Sequence, residues 1–471
     1  MAIKTESVNN KGFKGKHIRL DPTYYILKEE IKKMQKVDFL ECKTLDEHNI
    51  EVSSGSYVDN YLNKETGVKY LRVGNIKPYS INESERNTEY VSNEVNAKNK
   101  VCFKDVILGR TQATTEKLAV ASIIDENSSG SYISQHVSKL NAKNSTISPE
   151  FLVSYLNSDF YIHQLKIASH GDTRVELTHS QLKELLIFLP DKKTVKKIEE
   201  NVSEIFSLNK KANALMQKAF DILKKNLDLQ ELKNYQSFSL NNSKLFNADI
   251  WNPKCNMPGY EEIQNEIISK HETIQLSDKK LFEIRRGKEV GSINYKVGLE
   301  KSDSDIAFIR TSDVINYEID LFPDYFVDES FQKMPNLAKK GDIIFSRDGV
   351  IGETAMICEK DKALIASGFY IISKKEDLDM SSEYFFTCMS SHEIGKIPAL
   401  MRTVYASTIP HLQKRKKDTS QLQNFYIPIL SKDAQDEITD TVKKAFDHKN
   451  SRKQIILKNK SILDSIFKKA I

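Results

Sequence analysis

Two copies of one unit make up this chain of 471 residues, and that repeat constrains the fold more than any other sequence feature. YLRVGNI (Tyr70 to Ile76) corresponds to FIRTSDV (Phe308 to Val314) at an offset of 238. KDVILGR (Lys104 to Arg110) matches GDIIFSR (Gly341 to Arg347) at 237, and SPEFLVSYLNS (Ser148 to Ser158) matches SSEYFFTCMSS (Ser381 to Ser391) at 233. SQLKELLIFLP (Ser180 to Pro190) matches SQLQNFYIPIL (Ser420 to Leu430) at 240, and IRLDPTYY (Ile18 to Tyr25) corresponds loosely to FNADIWNP (Phe246 to Pro253) at 228. All five pairs keep their order, and every offset lies near half the chain length. Chance does not give that arrangement, so the repeating unit is roughly 235 residues long.

Each unit reads as two parts. The first is β-rich: VCFKDVILG (Val101 to Gly109), DIIFS (Asp342 to Ser346) and LLIFLP (Leu185 to Pro190) are short apolar runs beside turn formers. One helix is expected inside each, at Pro149 to Lys166, with Ser148 as its N-cap, and at Ser382 to Ile397. The second part is a long helix. Ile198, Val202, Ile205, Asn209, Ala212, Met216, Ala219 and Leu223 alternate spacings of 4 and 3. Ile438, Val442, Ala445, Lys449, Arg452, Ile456, Asn459, Leu463 and Ile466 carry that spacing in the second copy. Such alternation keeps one seam facing a partner helix, so the two helices are expected to pair with each other as a coiled coil. The alternative is that each packs only on its own β-rich part. The expected domains are therefore residues 1–190, a helix at 191–234, residues 235–430 and a helix at 431–471.

Composition excludes several classes. No run of 18 uncharged apolar residues occurs, so no membrane-spanning helix is expected. The polar, basic N-terminus lacks the apolar core of a secretory signal. Five widely spaced cysteines without a CxxC pair point to reduced thiols in a cytoplasm and away from a structural zinc site. A net charge of +5 says little about partners by itself. It is unevenly spread, because His411 to Ile471 holds 14 Lys and Arg against 7 Asp and Glu. There is no GxxxxGK-S/T phosphate loop, no GxGxxG opening a helix after a strand, and no HExxH. Short patterns such as EIK (Glu30 to Lys32) and DKK (Asp278 to Lys280) recur by chance in a lysine-rich chain. The sequence points to binding.

Two β-rich modules, each followed by a long helix and carrying RVGNI or RTSDV and then KDVILGR or GDIIFSR, resemble the specificity subunits of Type I restriction–modification systems. KKGDIIFSRDGVIGETAMI (Lys339 to Ile357) is the clearest local form, and PEFLVSYLNSDF (Pro149 to Phe160) and ASHGDTRVELTHSQLKELLIFLP (Ala168 to Pro190) resemble the family's segments too. The first copy departs from the pattern, since GRTQATTEKLAVA (Gly109 to Ala121) lacks the Gly-x-x-Gly of the second. The resemblance implies an α+β fold with two repeated target recognition domains on two long helices packed as an antiparallel coiled coil. It implies a non-catalytic, cytoplasmic subunit that reads a bipartite, asymmetric site in double-stranded DNA. The implied partners are two DNA methyltransferase (modification) subunits and restriction motor–nuclease subunits, with no membrane. S-adenosylmethionine, ATP and Mg would belong to those partners, and this chain would hold no cofactor or metal. A related Type II-like methyltransferase–nuclease system, a two-domain scaffold for nucleic acid or protein, and an enzyme whose modules form a nuclease or methylase part remain as alternatives.

Arginine is the commonest reader of guanine, and Lys and Arg neutralise phosphates. Irregular polar loops after strands are where readers usually sit. In the first module the candidate DNA contacts are Arg110, Gln112, Thr114, Thr115 and Lys117, with His170, Thr173 and Arg174. In the second they are Arg347, Asp348 and Glu353, then Arg402, Thr403, Tyr405 and Ser407, with His411, Lys414, Arg415 and Lys416. Any of them could equally serve a solvated loop or a structural hydrogen bond. Arg72 and Arg310, flanked by apolar runs at equivalent positions, lean towards a structural role.

Overall fold

A computed structural model describes residues 22–82, 88–94, 99–112, 118, 120–168, 175–230, 239, 253–297, 301–406, 409–413, 421, 422 and 424–470. The chain divides into two compact units: Met1–Leu208 with Ser451–Ile471, and Asn209–Asn450.

Unit 1 begins with helix α1 (Pro22–Met34). Its strands are β1 (Glu41–Thr44), β2 (Glu51–Ser54), β3 (Val68–Leu71), β4 (Glu89–Val91), β5 (Val106–Gly109), β6 (Ala121–Ile123), β7 (Tyr132–Ile133) and β8 (Val137–Asn141). Helices α2 (Pro149–Tyr155) and α3 (Asp159–Ala168), strand β9 (Leu186–Leu189) and the long helix α4 (Lys192–Leu227) follow. Strands β2, β8, β5 and β6 form one sheet in that order; β7, β3 and β4 form a second, and β1 pairs with β9. Among the described strand pairs of unit 1, β7–β3 is parallel, with Tyr132 opposite Tyr70.

Unit 2 repeats this strand for strand. After helix α5 (Tyr260–Lys270) come β10 (Thr273–Gln275), β11 (Phe282–Arg286), β12 (Ile306–Ile309), β13 (Tyr325–Val327), β14 (Ile343–Ser346), β15 (Thr354–Met356), β16 (Ala363–Ile365) and β17 (Phe369–Lys374). Helix α6 (Ser382–Ser390), strand β18 (Tyr426–Pro428) and the long helix α7 (Lys432–Ala470) complete it. The sheet orders are β11, β17, β14, β15 and β16, β12, β13, and β10 pairs with β18. Again the β16–β12 pair is parallel, with Leu364 opposite Phe308.

The apolar runs noted in the sequence supply the buried strands: Val106, Ile107 and Leu108 in unit 1, and Ile343, Ile344 and Phe345 in unit 2, are fully enclosed. Truncating one such Leu or Ile to Ala costs about 2–5 kcal/mol.

The inner helices start where expected. Ser148 Oγ accepts from Phe151 N at 3.1 Å and Ser381 Oγ accepts from Tyr384 N at 3.0 Å. Each is shorter than its sequence pattern suggests. The first breaks into α2 and α3, where Asn157 turns aside to exchange hydrogen bonds with the Ala121 backbone at 2.9 and 3.2 Å. The second ends at Ser390, and a π-helical turn over His392–Lys396 follows. Gly395 sits there because a Cβ would stand 1.9 Å from Met389 O.

Helices α4 and α7 have 36 and 39 residues, about 54 and 59 Å at 1.5 Å per residue. In unit 1 the early half of α4 meets the late half of α7, where Asn201 Nδ2 donates to Asn459 Oδ1 at 2.6 Å. In unit 2 the late half of α4 meets the early half of α7: Met216, Ala219 and Leu223 share one apolar cluster with Ile438, Val442 and Ala445. The helices are therefore antiparallel. Most of the expected seam is buried, from Ile198 to Leu223 and from Ile438 to Leu463, but its end shifts from Ile466 to Phe467. Lys449 is buried at its seam position, and its ammonium donates to Asn316 O and lies 5.8 Å from the Tyr317 ring.

That contact belongs to a second shared device. A short hairpin (Ile76–Lys77 with Ser80–Ile81, and Val314–Ile315 with Glu318–Ile319) projects from each unit's sheets. Each tip carries a tyrosine with left-handed backbone, Tyr79 (φ 64°) and Tyr317 (φ 69°). Tyr79 is enclosed, and its burial pushes the phenol up to about 12, with Ser154 and Asn459 of α7 beside it. Tyr317 packs on Phe220 of α4 at 5.4 Å and Phe386 of α6 at 6.1 Å. Each β-rich part thus clasps the long helices through the same residue.

Candidate nucleic-acid interface

At the end of β5 in unit 1 and of β14 in unit 2 the backbone builds the same corner. Gly55 N donates to Val137 O at 3.3 Å and Ser56 N to Ile133 O at 3.2 Å. In unit 2, Gly287 N donates to Phe369 O and Lys288 N to Ile365 O, both at 3.0 Å. A Cβ on Gly55 would stand 1.7 Å from Ile133 O, and one on Gly287 1.9 Å from Ala366 O, so the close approach excludes every other residue type. Across the corner Arg110 N donates to His136 O at 2.9 Å and Arg347 N to Gly368 O at 2.8 Å. Leu177 N then donates to Arg110 O at 2.9 Å and Leu412 N to Arg347 O at 2.8 Å. These bonds make Tyr57, Thr111, Gln135, His136 and Glu176 the structural equivalents of Glu289, Asp348, Ser367, Gly368 and His411.

The side chains differ at every one of those positions. In unit 1, Arg110 Nη2 pairs with Glu176 Oε1 at 3.1 Å, and His136 Nδ1 lies 3.4 Å from Thr111 Oγ1. Gln135 and His136 are exposed at the turn between β7 and β8, with Tyr57 nearby. In unit 2, His411 Nδ1 stands 2.8 Å from Asp348 Oδ1. Glu289 accepts from Ser367 N and Oγ at 3.1 and 2.6 Å and from the Tyr295 hydroxyl at 2.9 Å. Desolvation raises the Glu289 pKa, but these donors and Arg310 outweigh it and hold the carboxyl below its usual range. Burial, and then the Glu289 carboxylate beside it, pushes the Tyr295 phenol up to about 12.

Among the sequence candidates, Arg110, Asp348 and His411 come together at these corners. Arg347 is there too, but only 8% exposed, with its guanidinium 5.5 Å from the Tyr370 ring and its Nε 3.6 Å from Asp348. Gln112 lies on a short strand, Thr111–Gln112, that pairs with Val175–Glu176. Glu353 binds back to Ser346 through its backbone, N to Oγ at 2.8 Å. Arg402 and Thr403 are buried, 2% and 5% exposed, and Thr403 Oγ1 donates to Ala399 O at 3.0 Å. That burial sets these two apart from the surface, whereas Tyr405 is 51% exposed on the adjoining hairpin Thr403–Ala406 and Ile409–Leu412. Thr114, Thr115, Lys117, His170, Thr173, Arg174, Ser407, Lys414, Arg415 and Lys416 lie outside the described residues.

Arg72 and Arg310 have the structural contacts their setting suggests. Arg72 pairs with Glu89 at 3.0 Å and Arg310 stacks 5.3 Å from the Tyr325 ring. Their backbone N–H groups donate to Asn75 Oδ1 at 2.7 Å and Asp313 Oδ2 at 2.8 Å.

Sequence reasoning missed Tyr57, Gln135, His136, Glu176, Glu289 and Ser367. The signal for two of them was present: QH interrupts the apolar runs SYIS and VSKL as an exposed polar doublet between two strands.

The two β-rich units thus present one backbone corner with unlike polar side chains. Residues 268–458 match the family model of the Type I restriction modification DNA specificity domain. Residues 268–458 of this chain therefore carry a Type I restriction modification DNA specificity domain. The match falls largely on unit 2, and unit 1 repeats its strands one for one. No curated protein matches the chain. Among solved structures it is similar to the S subunit of a Type-I restriction-modification system from M. genitalium, with 15% identity, 93% of this chain and 98% of that one covered, and a TM-score of 0.35. It is also similar to the HsdS subunit from Thermoanaerobacter tengcongensis (15% identity, 92% and 98% covered, TM-score 0.27). The type IIG restriction endonuclease BpuSI matches over 39% of this chain and 28% of its own, with 13% identity and a TM-score of 0.30. The assignment rests on the domain match. Among the described residues no helix is long and apolar enough to cross a membrane.

Proposed function

We propose that this chain reads a bipartite, asymmetric site in double-stranded DNA, one half with each β-rich module, and docks two DNA methyltransferase subunits. In this reading residues 1–190 and 235–430 are the two target recognition domains, and the helices at 191–234 and 431–471 are the spacer between them. Motor–nuclease subunits join that core, and S-adenosylmethionine, ATP and Mg act on the partners.

One observation carries the reading: the same corner recurs in both units with different side chains at each equivalent position. Two readers with one frame and unlike side chains recognise unlike half-sites, and joining them raises affinity through effective concentration. A rigid spacer between two readers leaves a stretch of unread bases between the half-sites. Arg110, Asp348, His411 and Tyr405 are the contacts favoured among the described residues, with Lys414, Arg415 and Lys416 on phosphates.

The test is methylome sequencing of a host that expresses the chain with its cognate methyltransferase. The expected result is a two-part methylated motif, one half of which changes when residues 1–190 are exchanged for another module. A single continuous motif, or two halves unmoved by the exchange, rules the reading out.

A further inference from the structure

The equivalent corners also differ in what their side chains enclose. In unit 1 a depression of about 380 Å³ lies between residues 57–61, 70–75 and 134–136. Tyr57 and Tyr61, 70% and 46% exposed, stand along it, opposite the exposed Gln135 and His136. The polar groups are linked: Gln135 Nε2 lies 3.3 Å from His136 Nε2, and His136 leads on to Thr111 and so to the end of β5. In unit 2 the carboxylate of Glu289, which replaces Tyr57, reaches across the equivalent gap to Ser367, which replaces Gln135.

The chemistry of base edges separates these two arrangements. A carboxamide pairs with the N6 and N7 of adenine, and apolar surface receives the thymine methyl. A carboxylate accepts from the N4 amino group of cytosine and offers nothing that adenine N7 can use. Glu289 is held in place by three donors, two on Oε1 and one on Oε2, so one lone pair on Oε2 is left to accept from a base; Gln135 lies at the rim of a depression lined in part by Tyr57, Tyr61 and Tyr70.

The geometry points to this depression as the base-reading site of unit 1, with Gln135 determining specificity at an A·T pair and Glu289 determining it at a C·G pair in unit 2. Neither residue lies in the loops that follow β5 and β14, where the readers were sought from sequence. The inference rests on the two-module reading above and adds where each module meets its bases.

Methylome sequencing of the full chain with its methyltransferase partners tests it in three forms: wild type, Gln135→Ala and Glu289→Gln. Gln135→Ala should relax preference at one A·T position of one half-motif by about 5- to 150-fold, the discrimination of a good bidentate pair. The other half-motif should stay intact and so report an intact fold. Glu289→Gln should relax a C·G position in the opposite half. A wild type without a two-part motif defeats the underlying function. A two-part wild-type motif that neither variant alters, or that Gln135→Ala alters in both halves, defeats this inference alone.

Discussion

In unit 1 the corner beside β5 displays tyrosine, glutamine and histidine around an open depression. In unit 2 the matching corner displays a carboxylate tied to a serine and a tyrosine, next to an Asp348–His411 pair. Beneath them the backbone hydrogen bonds agree one by one. Those bonds run between main-chain groups, which do not depend on side-chain identity, and the only residue type they dictate is glycine at 55 and 287. A frame made this way holds its shape while the groups it displays vary. That is how one fold can serve two different half-sites.

The comparison can be broken most severely at the shared glycines. Gly55→Val and Gly287→Val each force a side chain into a carbonyl, and each should destabilise its unit by roughly 3 kcal/mol or more. Thermal unfolding followed by hydrogen exchange should show the loss in the mutated unit; similar losses in the two variants uphold the equivalence, and a large loss in only one breaks it. Next in size is the helix contact of unit 1. Asn459→Leu leaves the buried Asn201 without its partner and should cost about 1–3 kcal/mol in urea unfolding. Adding Asn201→Leu should recover most of that, because replacing both partners removes the unsatisfied group.

Acid sharpens the contrast between the corners. The Glu289 carboxyl sits below its usual range, so its contribution is fully present above the ordinary glutamate pKa. It is lost as pH falls through the lowered folded value. Hydrogen exchange across residues 287–295 should therefore quicken between about pH 5 and pH 3, relative to residues 55–61, where Tyr57 carries no such group. Equal protection of both segments across that range would contradict the assignment. Smallest of all, Tyr405→Ser should change unfolding free energy by no more than about 0.5 kcal/mol, since the ring is exposed, while weakening DNA binding by the assembled complex. A shift in stability without one in binding would place Tyr405 in the fold rather than the interface.

Much of the fold was legible because the repeat is local in sequence. Matched segments gave the two-unit organisation, Ser148 marked a real helix start, and the 4-and-3 spacing found the buried faces of both long helices. Asn201 escaped because it is one residue off that seam: its partner Asn459 sits at a seam position, and only their meeting shows the pair to be buried. The break after Tyr155 escaped for a similar reason, since it depends on Asn157 finding the Ala121 backbone in another element.

The recognition surface was less legible. Arg110 and Arg347 were correctly placed at strand ends, yet Arg347 turned inward towards Tyr370. The residues facing the depression come from three separate stretches of chain, brought together by the parallel β7–β3 pairing. No periodicity in any one stretch could reveal that convergence.

The hairpin tyrosines carry a different kind of information. A non-glycine residue in left-handed backbone costs about 1–3 kcal/mol and survives only where its surroundings compel it. Tyr79 and Tyr317 bear that cost at the same place in two halves whose displayed corners differ at every equivalent position. The clasp is thus a joint that both halves keep at a conformational cost, whatever side chains their corners display. The display varies from one half to the other, while the joint between β-rich part and helix is built the same way in both.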